Sequence, residues 1–148
     1  MRIPIALTAA FAALATIPYA AQAQDAGATK VTVHQKAPYG KYLTDGSGRS
    51  LYMFTSDKNG RSTCYDACAA AWPPLTSSGH AAAAGGAAAG KVGMAPRKGG
   101  AQQVTYNGMP LYYFVRDHGA GSVAGEEVKG FGGTWYLVSP AGDKIEGD

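Results

Sequence analysis

Cys64 and Cys68 are the only thiols in this 148-residue chain, and three residues separate them within CYDACAAAWPPL. A C-x3-C pair admits three chemistries: a redox couple, a metal grip or a disulfide. Thioredoxin-type exchange ordinarily uses C-x-x-C, and haem attachment needs C-x-x-C-H; neither pattern is present. Bonding the pair sets a geometric condition. Residues four apart on a regular helix hold their Cβ atoms about 5–6 Å apart, whereas a disulfide needs about 3.5–4.5 Å. A bonded Cys64 must therefore lie at or before the first helical turn. Closing so short a loop contributes about 2 kcal/mol. Its effect is local: it fixes the exit of the preceding hairpin and the approach of Trp72 to the core.

Asp57 and Asp117 are the other chemically suggestive pair, each ending a Y-x-F-x-x-D stretch: YMFTSD and YYFVRD. On a strand, Tyr52 and Phe54 point one way and Leu51 and Met53 the other, and Tyr112 and Phe114 oppose Leu111 and Tyr113 in the same way. Tyrosine rings bury while their hydroxyls seek partners. A carboxylate at a strand end accepts hydrogen bonds from the N–H groups of the following turn. The plain reading makes these residues core aromatics and turn-capping aspartates, and the sharper one a pseudo-symmetric carboxylate pair at a ligand or cation site. General acid–base catalysis has least support, because no substrate-binding signature accompanies the aspartates.

No G-x-S-x-G, P-loop, dinucleotide fingerprint or H-E-x-x-H motif occurs. Non-enzyme is the resulting expectation. His34, His80 and His118 are isolated, with no metal-ligand spacing between them. Met53, Met94 and Met109 could join a histidine or the cysteines around cuprous copper, but packing explains them equally well. Trp72 and Trp135 read as core anchors rather than stacking platforms. No metal and no cofactor is expected.

The chain opens MRIPIALTAAFAALATIPYAAQAQ: a basic start, an apolar run and an A-x-A exit. That order predicts a secretory leader over residues 1–23, its apolar run being too short to span a bilayer. No cysteine stands at its end, so no lipid-modified terminus is expected. The product is expected in the periplasm or outside the cell, where disulfides persist, and two cysteines in such a chain pair with each other. The chain has 13 Lys plus Arg against 10 Asp plus Glu, and losing Arg2 leaves 12. This near-neutral balance, without a basic cluster, predicts no nucleic-acid partner.

The elements that must position these residues are mostly β. After residues 24–36, an N-terminal arm or strand, YGKYLTDGSGRSLYMFTSDKNGRS alternates on both sides of Gly-Ser-Gly and reads as a hairpin, with Asn59-Gly60 a second turn. CYDACAAAWPPL favours one short helical turn stopped by Pro73 and Pro74. Residues 77–90 carry almost no large side chain and read as a flexible Ala/Gly-rich excursion. QQVTYNGMPLYYFVRD holds Asn107-Gly108 between β-formers, a strong hairpin signal. TWYLVSPAGDKI closes with another strand and turn.

At an offset of 60, Gly48, Leu51, Tyr52, Phe54 and Asp57 match Gly108, Leu111, Tyr112, Phe114 and Asp117. An internal duplication follows, with a first repeat over 37–76 and a second over 91–148. The matching position for Cys64 is Ala124, so the second repeat must brace that corner otherwise. The two YxFxxD motifs, with LTDGSGRSLY, the C-x3-C and WPPL, QVTYNGMPLY and TWYLVSP, resemble a bacterial family known as the secreted repeat of unknown function. Its members are described as predicted lipoproteins with a Y-x-(F/W/Y)-x-x-D motif. The resemblance implies an exported module and says little of activity. The lipidated cysteine is missing here, so the lipoprotein label does not carry over.

The expected fold is a small, mainly β, antiparallel domain of two tandem hairpin repeats with one short helical turn after the first. The expected function is an exported, non-catalytic β-repeat module of the cell envelope or periplasm, whose partner is an envelope component or small ligand. The alternative is a periplasmic redox or copper-handling protein using Cys64 and Cys68. That spacing is similar to the copper-binding cysteines of Sco-type chaperones, but those sit in a thioredoxin-like α/β frame and no β-α-β pattern is visible here.

Overall fold

The structure, a computed structural model, describes residues 28–147, so the expected leader lies outside the described residues. Among the described residues nine short strands make up three three-stranded sheets, with one α-helical turn and one 3-10 turn outside them. Strands β1 (Thr29–Lys36), β2 (Gly40–Asp45) and β4 (Ala81–Ala83) form the first. β3 (Tyr52–Phe54), β9 (Gly133–Leu137) and β8 (Lys129–Gly130) form the second. β5 (Val92–Pro96), β6 (Gln102–Tyr106) and β7 (Met109–Pro110) form the third. Helix α1 (Ala67–Ala71) follows the first repeat's motif and ends at Trp72, where Pro73 and Pro74 forbid another turn. The chain is thus mainly β and largely antiparallel.

The turns follow their residues. Asn107 and Gly108 take φ values of 50° and 78° between β6 and β7, the paired positive angles of a two-residue hairpin. Asn59 and Gly60 do the same at 55° and 70°, closed by a Lys58–Arg61 bridge. At the Gly-Ser-Gly turn the Asp45 carboxylate accepts from the backbone N–H groups of Ser47 and Arg49, at 2.8 and 3.0 Å.

Two expectations need revision. The first hairpin does not extend through Tyr52: beyond the Thr44–Ser50 bridge and the Leu51 N–H to Leu43 bond, β3 leaves to pair with β9. Residues 77–90 are also built into the fold. β4 runs parallel to β1 with Ala81 opposite Thr29, and Ala81, Ala87 and Ala88 pack against the core. Backbone hydrogen bonds to β1 and the Tyr106 hydroxyl, which accepts from the Ala88 N–H at 2.9 Å, supply what large side chains would. Alanine seats the backbone close.

Apolar neighbours in sequence feed two clusters on opposite faces. Tyr42, Tyr52, Tyr112 and Leu137 enter one; Leu43, Leu51, Leu111 and Val138, each adjacent to one of them, enter the other. A strand buried on both faces reads as a continuous apolar run. Cys64, Cys68, Trp72 and Trp135 belong to the first cluster, and Val31, Leu75, Val104 and Tyr106 to the second.

The repeats interlock rather than stand side by side. Tyr52 and Tyr112 exchange backbone hydrogen bonds at 2.9 and 3.0 Å, each N–H donating to the other's carbonyl. β3 of the first repeat pairs with β9 of the second, and the Pro73 and Leu111 carbonyls accept from Tyr113 and Leu75 N–H across the repeats. The Leu43 N–H donates to Val138 and the Val104 N–H to Leu75, both at 2.8 Å. Each half completes the other's sheet.

Candidate functional site

The two YxFxxD motifs meet at the seam, and each tyrosine bonds the aspartate of the opposite repeat. The Tyr112 hydroxyl donates to Asp57 Oδ2 at 2.6 Å, and the Tyr52 hydroxyl to Asp117 Oδ2 at 2.9 Å. The second oxygen of each carboxylate caps the turn behind it. Asp57 Oδ1 accepts from the Thr63 N–H and hydroxyl at 2.8 and 3.0 Å, and Asp117 Oδ1 from the Ala124 N–H at 2.8 Å and the Ser122 hydroxyl at 3.0 Å. Cross-repeat tyrosine and local turn together use both oxygens.

Burial sets the electrostatics. Desolvation pushes both tyrosine hydroxyls well above their ordinary value, and the partner aspartate adds to the rise. Desolvation also raises Asp57, against the lowering pull of Tyr112, Thr63 and Arg97. The tyrosines stay neutral donors.

Between these polar ends runs a stack of four rings. Phe54 lies on Trp135 with centroids 3.9 Å apart, Trp135 on Trp72 at 4.0 Å, and Trp72 on Phe114 at 4.0 Å. Tyr52 meets Trp72 edge-on at 5.4 Å and Tyr112 meets Trp135 edge-on at 5.0 Å, so the arrangement has approximate two-fold symmetry. Offset and edge-to-face pairs such as these stabilise beyond their buried area. Trp135 and Trp72 share one core.

Cys64 and Cys68 are disulfide-bonded, with Cα atoms 5.2 Å apart, and both are buried against this cluster. Cys64 precedes α1 and Cys68 lies in its first turn, so the pair meets the geometric condition set above. No other thiol exists.

Other candidates are not gathered. Met53 and Met94 pack against the second cluster, away from the cysteines' cluster. His34 meets Tyr42 edge-on at 6.5 Å, and His118 is exposed beyond Asp117. Among the described residues no group of three or more His, Cys, Asp and Glu stands close enough to hold a metal ion. Asp57 and Asp117 share no hydrogen-bond partner among the described residues.

Several contributors escaped the sequence reading. Arg97 donates to Ser62 Oγ and Gln103 Oε1, both at 2.8 Å, and to the Cys64 carbonyl at 2.7 Å, while its guanidinium covers the Tyr65 ring at 4.3 Å. Buried Gln103, a polar interruption in the QQVTY strand, was the available signal. Glu126 is another: its Oε2 accepts from the Leu137 N–H, its Oε1 is buried without a partner, and burial pushes its carboxyl up to about 7.

The second repeat departs from the first where the disulfide stands. Cys68 carbonyl accepts from the Trp72 N–H at 2.7 Å, and Val128 carbonyl from the Trp135 N–H at 2.9 Å. Three residues separate the first pair and six the second, so the offset of 60 becomes 63. The additional residues build the β8–β9 hairpin in place of α1, with Phe131 and Gly132 at its tip.

The sequence profile of a family described as a secreted repeat of unknown function matches this chain twice, over residues 33–76 and 93–139. Searches among curated proteins and among solved structures find no match. The matched segments hold both motifs, both tryptophans and the disulfide, and the break between them spans β4 and the 3-10 turn at Ala89–Lys91.

Proposed function

The chain belongs to the family of secreted repeats of unknown function, and on that premise we propose that it is an exported, non-catalytic β-repeat module of the cell envelope or periplasm. Its work is binding an envelope component or small ligand on a rigid frame. The reciprocal Tyr–Asp bonds carry this reading: each motif's tyrosine and aspartate are engaged in joining the repeats and capping the local turns, with both carboxylates hydrogen-bonded at both oxygens. A general base needs an accessible lone pair within reach of a substrate proton, and three hydrogen bonds to each aspartate favour a structural role over a catalytic one. No helix among the described residues is long and apolar enough to cross a membrane.

The redox or copper-handling alternative would require Cys64 and Cys68 as thiolates. The buried bond between them favours a structural role. Intact mass with and without reductant, together with metal analysis of protein taken from its native compartment, tests the choice. An unreactive disulfide and no stoichiometric metal is the expected result. Stoichiometric copper that disappears in C64S/C68S would overturn the structural reading.

A further inference from the structure

The two motifs end differently. After Phe54 the first repeat continues Thr55-Ser56, and these side chains close against the β8–β9 hairpin. Thr55 Oγ1 accepts from the Thr134 N–H at 2.9 Å, and the Ser56 hydroxyl donates to the Gly132 carbonyl at 2.6 Å. After Phe114 the second repeat continues Val115-Arg116, which cannot seal in that way. A cleft of about 380 Å³ opens there, lined by Val115, Arg116, Lys129 and Phe131 and reaching down to the nearly buried edges of Trp72 and Phe114.

Three features of this cleft point to a ligand. Its volume lies within the usual range for small-molecule sites, apolar with a few placed polar groups. Val115 and Phe131, the two exposed large hydrophobic residues among those described, both face it at 53% and 52% exposure. Arg116 and Lys129 bring two cations, and among the described residues neither side chain has an acidic partner. The neighbouring carboxylates are engaged elsewhere: Asp117 with Tyr52, Ser122 and Ala124, Glu126 with Leu137, and Glu127 with Gly147.

Phe131 supplies an independent sign. It occupies the first tip position of the β8–β9 hairpin with φ 55°, followed by Gly132 at 86°. Such turns select Asn, Asp or Gly, which accept positive φ at small cost. A bulky aromatic is held here against backbone preference and left half-exposed at the cleft's wall. Strain of this kind marks positions kept for function.

We propose that this cleft binds a small planar organic anion, an aromatic body seated against Phe131 and Val115 over the Phe114 side of the ring stack, with its carboxylate between Arg116 and Lys129. Guanidinium pairs with carboxylate through parallel N–H donors, and aromatic walls favour a flat apolar body over an alkyl chain. Recessed apolar lining with cations among the walls favours a small molecule over a membrane surface. The assignment rests on the reading of the chain as a binding module.

Calorimetric titration of the full exported protein with 2-naphthoate tests it, with 2-naphthalenemethanol as the neutral comparator. Saturable naphthoate binding, at least tenfold tighter than the alcohol, is expected, with backbone amide shifts centred on Gly130, Phe131 and Val115. R116Q/K129Q should lower naphthoate affinity at least tenfold and leave the alcohol unchanged. F131N should weaken naphthoate at least tenfold while raising the unfolding midpoint, an opposition that a purely structural Phe131 would not produce. Equal affinity for acid and alcohol, or undiminished binding by F131N, would overturn the site. Association with phosphatidylglycerol vesicles without any naphthoate response would also overturn it. Naphthoate bound and chemically altered would support the site while overturning the non-catalytic reading.

Discussion

The Tyr112 hydroxyl donates to Asp57 Oδ2 at 2.6 Å across 55 residues of chain, and Tyr52 returns the same bond to Asp117 at 2.9 Å across 65. A Y-x-F-x-x-D motif cannot satisfy itself in this arrangement. The tyrosine of one copy needs the aspartate of the other, so duplication is a condition of the fold. The motif encodes a seam between repeats.

The two bonds should differ in weight. Asp57 is 7% exposed and the bond to it is the shorter, so Tyr112→Phe strips a donor from a carboxylate with little access to water. Bonds to charged groups contribute about 1.5–3 kcal/mol, and an abandoned buried acceptor keeps its desolvation penalty. Urea unfolding should show Y112F destabilised by about 2–3 kcal/mol and Y52F by less. Equal or reversed losses would contradict the ranking.

Removing the disulfide should be milder than removing a disulfide that closes a long loop. Cys64 and Cys68 are four positions apart, and the chain-entropy estimate for so small a loop is about 2 kcal/mol. C64S/C68S should therefore unfold cooperatively with its unfolding free energy lowered by about 2 kcal/mol plus the cost of the buried serine hydroxyls, and with near-ultraviolet tryptophan dichroism weakened because Trp72 follows α1 directly. Loss of all fixed tertiary signal would show that the bond holds more than one corner.

The duplication was legible because identity at an offset of 60 aligned both motifs, and the expected export paired the cysteines. The Tyr–Asp bonds across the repeats were not, because strand and turn chemistry reads each aspartate as a cap of its own turn. Nor were strand partners. Alternation predicts which faces are buried but not which strand lies alongside, so the departure of β3 to β9 was invisible in LTDGSGRSLYMF. The Ala/Gly segment misled for a related reason: its contribution is backbone hydrogen bonding to β1, which leaves no side-chain pattern. Phe131 carried a faint mark, an aromatic between glycines in KGFGG, whose meaning depends on a positive φ that residue type argues against.

Gly125 should tolerate no side chain. A Cβ there would lie 2.8 Å from Trp72 Cη2 and 2.8 Å from Tyr52 Cζ, inside the ring cluster, while the Gly125 N–H donates to the Tyr52 hydroxyl at 3.2 Å. Neither ring can retreat, since Trp72 is stacked between Trp135 and Phe114. Overpacking of this kind costs about 1–3 kcal/mol. G125A should lower the unfolding midpoint accordingly and disturb Trp72 emission, whereas alanine at exposed Gly100, φ 95°, should act through backbone strain alone and leave that emission unchanged.

Glu126 should give the protein an acid-side stability maximum. Burial, opposed by the Leu137 N–H and helped by Glu127, lifts its carboxyl from 4.5 to about 7. The folded state thus keeps a proton that the unfolded chain releases near its ordinary carboxylate value. The native state binds more protons between those limits, so stability is full below about pH 4.5 and falls as pH rises through about 7. A shift of that span corresponds to roughly 3 kcal/mol at about 1.4 kcal/mol per unit. The side chain is only half-buried, and solvent screening reduces the effect to about 1–2 kcal/mol. Asp57 shifts in the same direction, so a substitution must isolate Glu126. E126Q retains an acceptor for the Leu137 N–H and removes the titration. Urea midpoints measured from pH 5 to 8 should decline for the native chain and lie flatter for E126Q, with the variant the more stable at pH 8. Parallel slopes would show that the buried, partnerless Oε1 is not what makes the charge unfavourable.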